Sequence, residues 1–142
     1  MMLRLVIALS LLTALMSGPV AAATRPERAC PIAPFQLAAV EAAIRRTRSC
    51  DAAMAIFDRC GAGTSADLHT GDIVIRKCEA AFAGRLPPAQ MRAYARAKHV
   101  CAAKYVHESG TMYRSFEAYC TAQAAHRMAR QALKAARRPA RR

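Results

Sequence analysis

The stretch CAAKYVHESGTMYRSFEAYC, Cys101 to Cys120, decides the fold. Gly110 and Thr111 divide it, glycine being suited to close one helix from the C′ position and threonine to cap the next. Upstream, Met91, Tyr94, Ala95, Lys98, Cys101, Ala102 and Tyr105 recur at spacings of three and four, which predicts a helix reaching about Ser109. Downstream, Met112, Phe116, Tyr119, Cys120 and Gln123 fall on one side of a second helix. Cys101 stands nine residues before Gly110 and Cys120 nine after Thr111. In an antiparallel helical hairpin such positions lie at the same height, so these two cysteines are expected to pair. The bond would close a loop of about 20 residues, worth roughly 3 kcal/mol in the chain-entropy model.

The same reading extends towards the N-terminus. Pro87-Pro88 separates two elements, with Pro88 suited to a first helical turn. Before it, Val74, Cys78 and Phe82 recur every four residues, predicting a helix from Asp72 to Gly84, although Ile73-Val74-Ile75 carries strand propensity. Gly61 to Gly71 (GAGTSADLHTG) is expected to be a surface loop, since it lacks the lysine of a phosphate-binding GxxxxGK[ST] pattern. A first helical stretch runs from Pro34 to Cys60 with Phe35, Leu37, Val40, Ile44, Met54 and Phe57 as its apolar positions. Its stripe drifts near Ser49-Cys50-Asp51, where a break or kink is expected. Alanine is abundant throughout, and it is the strongest helix former. The expected fold is all-α: a small disulfide-stapled bundle of about four helices ending in an antiparallel helical hairpin.

The chain opens with a short basic segment, Met1 to Arg4, then an apolar run from Leu5 to Met16 and a helix-breaking Ser17-Gly18-Pro19. Ala21-Ala22-Ala23 supplies small residues for signal peptidase, so residues 1–23 read as a signal peptide cut before Thr24. The run is shorter than the roughly 20 apolar residues of a spanning helix. Lipoprotein processing would need a cysteine as first mature residue, where Thr24 stands. Residues 24–126 are then expected to form the disulfide-rich domain and residues 127–142 a basic extension, in a protein exported to the periplasm or secreted.

All six cysteines lie beyond the expected signal peptide. Outside the cytosol paired thiols oxidise, and an even count predicts three disulfides among about 15 connectivities. With Cys101–Cys120 assigned, the sequence favours Cys60–Cys78 across the glycine-rich loop and Cys30–Cys50 at the N-terminal edge. Cys50 and Cys60 have the Cx9C spacing of twin-motif hairpins, but a second copy from Cys78 would end at Pro88, which excludes that family. CxxC and CxxCH are both absent, so metal binding and covalent haem attachment have no foothold and no cofactor is expected.

Charge supplies the functional lead. The chain carries 22 basic residues against nine acidic, a formal net charge of +13. From Arg127 onward Arg127, Arg130, Lys134, Arg137, Arg138, Arg141 and Arg142 meet no acid. Arg127, Arg130, Lys134, Arg137 and Arg141 step by three and four, so a continued helix aligns them as one cationic ridge, with alanines favouring helix until Pro139. Such a ridge suits anionic envelope material: lipopolysaccharide phosphates, phospholipid headgroups or acidic glycans. Nucleic acid fits the charge, but export and the lack of interleaved aromatics disfavour it.

No catalytic signature accompanies it. His99 and His107 on one helix are separated by roughly 80° around its axis, wider than the i,i+4 spacing of paired ligands, and His69 and His126 stand apart in sequence. Glu108 and Glu117 flank the hairpin turn as solvated charges, and Ser115 has no GxSxG context. The chain is expected to be a non-enzymatic binding or structural protein of the cell envelope, its seven C-terminal basic residues contacting anionic components.

The C-terminal half also carries a resemblance. Gln90-Met91-Arg92-Ala93-Tyr94, Arg96, Cys101, Gly110, Cys120, Arg127 and Leu133, about 45 residues in all, resemble the LprI-type lysozyme-inhibitor domain family. Those domains show an aromatic and an arginine before one cysteine, a glycine-containing turn, a second cysteine, then an arginine and a leucine. Tyr94 stands near where a tryptophan is usual, and the early cysteine pair and Asp-x-x-Leu helix are not matched. The resemblance implies an all-helical fold and, as the alternative function, action on a protein partner. A net positive charge opposes steering towards basic animal-type lysozymes.

Overall fold

The chain forms five helices, and local donor–acceptor arrangements mark the break between the first two and the start of the third. The computed structural model describes residues 29–32 and 36–137, so the expected signal peptide and Arg138, Arg141 and Arg142 lie outside the described residues. The helices are α1 (Leu37–Arg46), α2 (Cys50–Cys60), α3 (Ala66–Phe82), α4 (Pro88–Tyr105) and α5 (Thr111–Arg137), with no strand among the described residues.

The first expected helix is two. Thr47 turns extended after α1 and its hydroxyl donates to the Ile44 carbonyl at 2.7 Å. Ser49 then caps α2, its Oγ accepting from the Ala52 N–H at 3.1 Å. Lys77 reaches over from α3 and donates to the carbonyls of Arg45 and Thr47 at 3.0 and 2.7 Å. A cation there complements the negative end of α1.

The expected loop to Gly71 is shorter, because α3 already begins at Ala66. Asp67 is the cause. Its buried carboxylate accepts from the N–H groups of Ala62 and Thr64 at 3.1 and 3.2 Å and from the Ser115 hydroxyl at 2.7 Å. The β-branched Ile73-Val74-Ile75 is helical, with Ile73 and Val74 buried. Helix α4 stops at Tyr105 rather than near Ser109, and Gly110, at φ +106°, immediately precedes α5. Only glycine takes that conformation without strain.

Helices α3 and α5 make the most extensive contact, running in the same direction. At its start Asp67 meets Ser115, and one turn on a Cβ placed on Gly71 would lie 3.2 Å from Ala118 Cβ and 3.1 Å from Phe57 Cζ. Helix α5 presents Ser115, Ala118, Ala122, Ala125, Ala129 and Ala132, all buried, at alternating spacings of three and four. This corrects the expected apolar side of the last helix, since Met112, Phe116 and Gln123 are exposed. Against the seam α3 sets Val74, Cys78 and Phe82. On one side α2 runs antiparallel to α5, with Phe57 and Tyr119 stacked at 4.1 Å and the Tyr119 hydroxyl donating to the Phe57 carbonyl at 2.9 Å. A side chain at Gly61 would strike the Tyr119 ring. Towards α4, Tyr94 meets Phe82 edge-on at 5.2 Å and donates to Glu79 at 2.7 Å.

Three disulfides staple the helices: Cys30–Cys60, Cys50–Cys78 and Cys101–Cys120, with Cα–Cα distances of 4.7, 4.7 and 5.6 Å. The third joins the two cysteines placed symmetrically about the hairpin turn. The expected Cys60–Cys78 and Cys30–Cys50 pairings are corrected: their partners are exchanged. Because α3 begins at Ala66, Cys78 is carried about 18 Å along it, back beside the start of antiparallel α2, where Cys50 sits. Cys60, at the other end of α2, is left for the N-terminal segment. Bonds of this kind suit an oxidising compartment. None of the described helices is long and apolar enough to cross a membrane.

The segment expected as an extension from position 127 is, as far as Arg137, the last part of α5, and it contributes Ala129 and Ala132 to the core.

Two predictions test this packing. Replacing Ala122 by Leu forces a large side chain into the α3–α5 seam and should lower unfolding free energy by about 1–3 kcal/mol in urea titrations. Leu at exposed Ala135 should change it by less than about 0.5 kcal/mol. The second concerns alkali. Burial, with the Glu79 hydrogen bond and charge at Tyr94 and the charges of Asp67 and Asp58 at Tyr119, raises both phenol pKa values well above the usual tyrosine value. The stability these neutral phenols contribute is full below about pH 10 and is lost as pH climbs towards their folded-state values. Urea midpoints should therefore fall above about pH 10, and less steeply in a Tyr94→Phe/Tyr119→Phe variant.

Candidate functional site

An uninterrupted α5 positions the sequence-predicted ridge. From Thr111 to Arg137 the helix contains no glycine or proline and many alanines, and Lys134 and Arg137 in its last turn complement the negative helix end. With the alanine face held against α3, and α2 and α4 on either flank, one strip of α5 faces solvent. Met112, Phe116, Gln123, Arg127, Arg130, Lys134 and Arg137 are all exposed. At 100° per residue they fall within an arc of about 80°. The strip is apolar at its start and cationic over its last three turns.

Arg127, Arg130, Lys134 and Arg137 are thus brought together on one face, while Arg138, Arg141 and Arg142 of the predicted set lie outside the described residues. Among the described residues none of the four pairs with a carboxylate. Asp51, at the start of α2, lines a small groove of about 120 Å³ with Arg130, Lys134 and Arg137, and its carboxylate is engaged by His126, whose Nε2 lies 2.5 Å from its Oδ1. Lys134 and Arg137 also line a groove of about 550 Å³ with Gln90, Gln131 and Ala135, formed where α4 begins against the end of α5. That lining holds two cations and two amides and no acid.

The remaining sequence candidates do not converge. His69, His99 and His107 are exposed on three different parts of the bundle, and among the described residues no three His, Cys, Asp or Glu side chains are grouped to hold a metal ion. Ser115 is buried and its hydroxyl is committed to Asp67. Glu117 pairs with Arg114 at 3.1 Å, and Glu108 is exposed. Burial raises the carboxyl pKa of Asp58, and the charge of nearby His126 partly lowers it again. Both belong to the α2–α5 contact.

A second exposed feature was not visible as a site in the sequence. At the α4–α5 turn the rings of Tyr105, Tyr113 and Phe116 meet at centroid distances of 6.0 to 6.4 Å. Val106 and Met112 stand beside them, 57% and 48% exposed. The aromatic spacing read as a core stripe. Only the alanine heptad, 118-122-125-129-132, signals that the large residues point outward.

Comparison of the chain with models of known protein families, with curated proteins and with solved structures finds no match.

Proposed function

We propose that the chain is an exported, non-enzymatic binding or structural protein of the cell envelope whose α5 cationic row holds anionic envelope components. One observation carries this reading: four basic side chains on one exposed strip, without carboxylate partners among the described residues, on a helix whose other face is fixed in the core. Three further arginines follow at positions 138, 141 and 142. From Arg127 to Arg137 the row spans about 15 Å, longer than a Debye length of about 8 Å at physiological salt. An extended anionic surface therefore engages it better than a single small anion does. Each basic residue near an anionic bilayer contributes about 1 kcal/mol. Four together correspond to roughly a thousandfold in affinity.

A second reading, an inhibitor acting on a protein partner, is favoured by the α4–α5 hairpin closed by Cys101–Cys120, the element that resembles LprI-type domains. Charge weakens it. Asp72 and Glu117 line a groove of about 370 Å³ between α3 and α5, but Arg76 and Arg114 neutralise them.

Co-sedimentation with anionic and neutral vesicles, together with binding to a soluble polyanion such as polyphosphate, separates these readings. Low-salt binding to anionic targets should fall at least about a hundredfold in an Arg127→Gln/Arg130→Gln/Lys134→Gln/Arg137→Gln variant. Unchanged binding in that variant would sink the proposal, and salt-insensitive inhibition of a muramidase would favour the second reading.

A further inference from the structure

Met112 and Phe116 of the apolar turn share one strip of α5 with the cationic row, and this selects among the anionic materials a ridge could meet. We infer that the tip of the α4–α5 hairpin is a hydrophobic anchor that enters the headgroup–acyl boundary of an anionic phospholipid bilayer, in the same contact that the cationic row makes with the headgroups. This rests on the reading above and narrows it from anionic material in general to lipid.

The residues of the tip are exposed without a structural use. Val106, Met112 and Phe116 stand out from the turn, and none of them belongs to the core cluster or packs against it. An exposed apolar group of this kind marks an interaction surface when it is contiguous, and the meeting of Tyr105, Tyr113 and Phe116 makes it so. Tyrosine, with an apolar ring and a polar tip, suits the boundary between headgroups and hydrocarbon. Lys104 lies over the Tyr105 ring at 5.1 Å, and its long stem allows the ammonium to stay among headgroups while the ring descends.

Charge and apolar surface are divided along α5. Between positions 104 and 117 two basic residues, Lys104 and Arg114, face two acidic ones, Glu108 and Glu117, so the tip has no electrostatic pull of its own. Attraction comes from the row that begins at Arg127, about 16 Å from Phe116 along the helix. A bilayer offers both components at once: phosphate charge for the row and hydrocarbon for the tip. A soluble acidic glycan or polyphosphate offers only the first. A second copy of the chain, the other occupant an apolar tip could take, would bring together two strongly basic molecules, each +12 once Arg4 has left with the expected signal peptide (13 − 1).

The test uses the full chain and three probes. These are vesicles containing phosphatidylglycerol, vesicles of phosphatidylcholine alone, and polyphosphate. Wild type should keep measurable binding to the phosphatidylglycerol vesicles at salt that abolishes polyphosphate binding. Met112→Ser/Phe116→Ser should lower vesicle affinity at least about tenfold and leave polyphosphate binding unchanged. Because the chain contains no tryptophan, Phe116→Trp supplies a single fluorescent reporter. Its emission should shift to the blue on anionic vesicles and be quenched by brominated acyl chains. If the Phe116→Trp reporter stays unquenched and the serine variant binds vesicles like wild type, the anchor is overturned while the cationic-row reading stands. Failure of wild type to bind vesicles or polyphosphate overturns both. Self-association that depends on Phe116, without vesicle binding, assigns the tip to a second copy and also overturns the anchor.

Discussion

The close approach of α3 and α5 is the constraint on which everything else depends. Where Gly71 passes Ala118 the two helices come close, a Cβ placed on the glycine falling 3.2 Å from that of the alanine, and further along the small residues Ala122 and Ala125 of α5 leave room for Val74, Cys78 and Phe82 of α3. The position of this contact is set by a buried polar link, the Asp67 carboxylate accepting from Ser115 while also holding the 61–65 loop. Alanine buries little apolar area, at about 25 cal/mol per Å², so this seam defines a geometry more than it supplies stability. Crosslinks make up the difference. With sequence separations of 30, 28 and 19 residues, each disulfide is worth about 3–4 kcal/mol in the chain-entropy model.

The same seam decides what α5 can present. Because the alanine side is committed to α3, and Tyr119 and His126 to α2, the only positions left for Met112, Phe116 and the basic residues are outward. Helix α5 begins at the end of the bundle that holds Cys30–Cys60 and the aromatic turn. It finishes at the end where α4 begins, beside Gln90. The resulting strip passes from apolar to cationic over about 37 Å.

Much of the architecture was legible in local patterns. Val74, Cys78 and Phe82 announced a buried helical face, Pro88 a helix start, and the drift near Ser49 the break between α1 and α2. Cys101 and Cys120 declared themselves by symmetry about a turn. What escaped depends on tertiary partners. Composition marks the segment to Gly71 as loop, but α3 starts earlier, with Asp67 of its first turn accepting from the amides of Ala62 and Thr64, and the longer helix places Cys78 beside Cys50. The outward strip was misread for the opposite reason. Large apolar residues normally mark the buried side, and on α5 small ones do, while α3 supplies the larger Val74 and Phe82 to the same core. The basic residues up to Arg137 were recognised as a ridge from spacing alone, but their membership of a core helix was not.

Native-state hydrogen exchange tests the seam most directly, since subglobal opening separates elements that merely touch from those that unfold together. Amides of α3 from Gly71 to Cys78 and of α5 from Ala118 to Ala129 should exchange slowest and with one common free energy, that of global unfolding. Those of α1 and of the last turn of α5, Lys134 to Arg137, should exchange earlier. If instead α5 opens together with α4 as a separate hairpin while α3 stays protected, the two helices are not joined as described. The outward strip would then lose its structural basis.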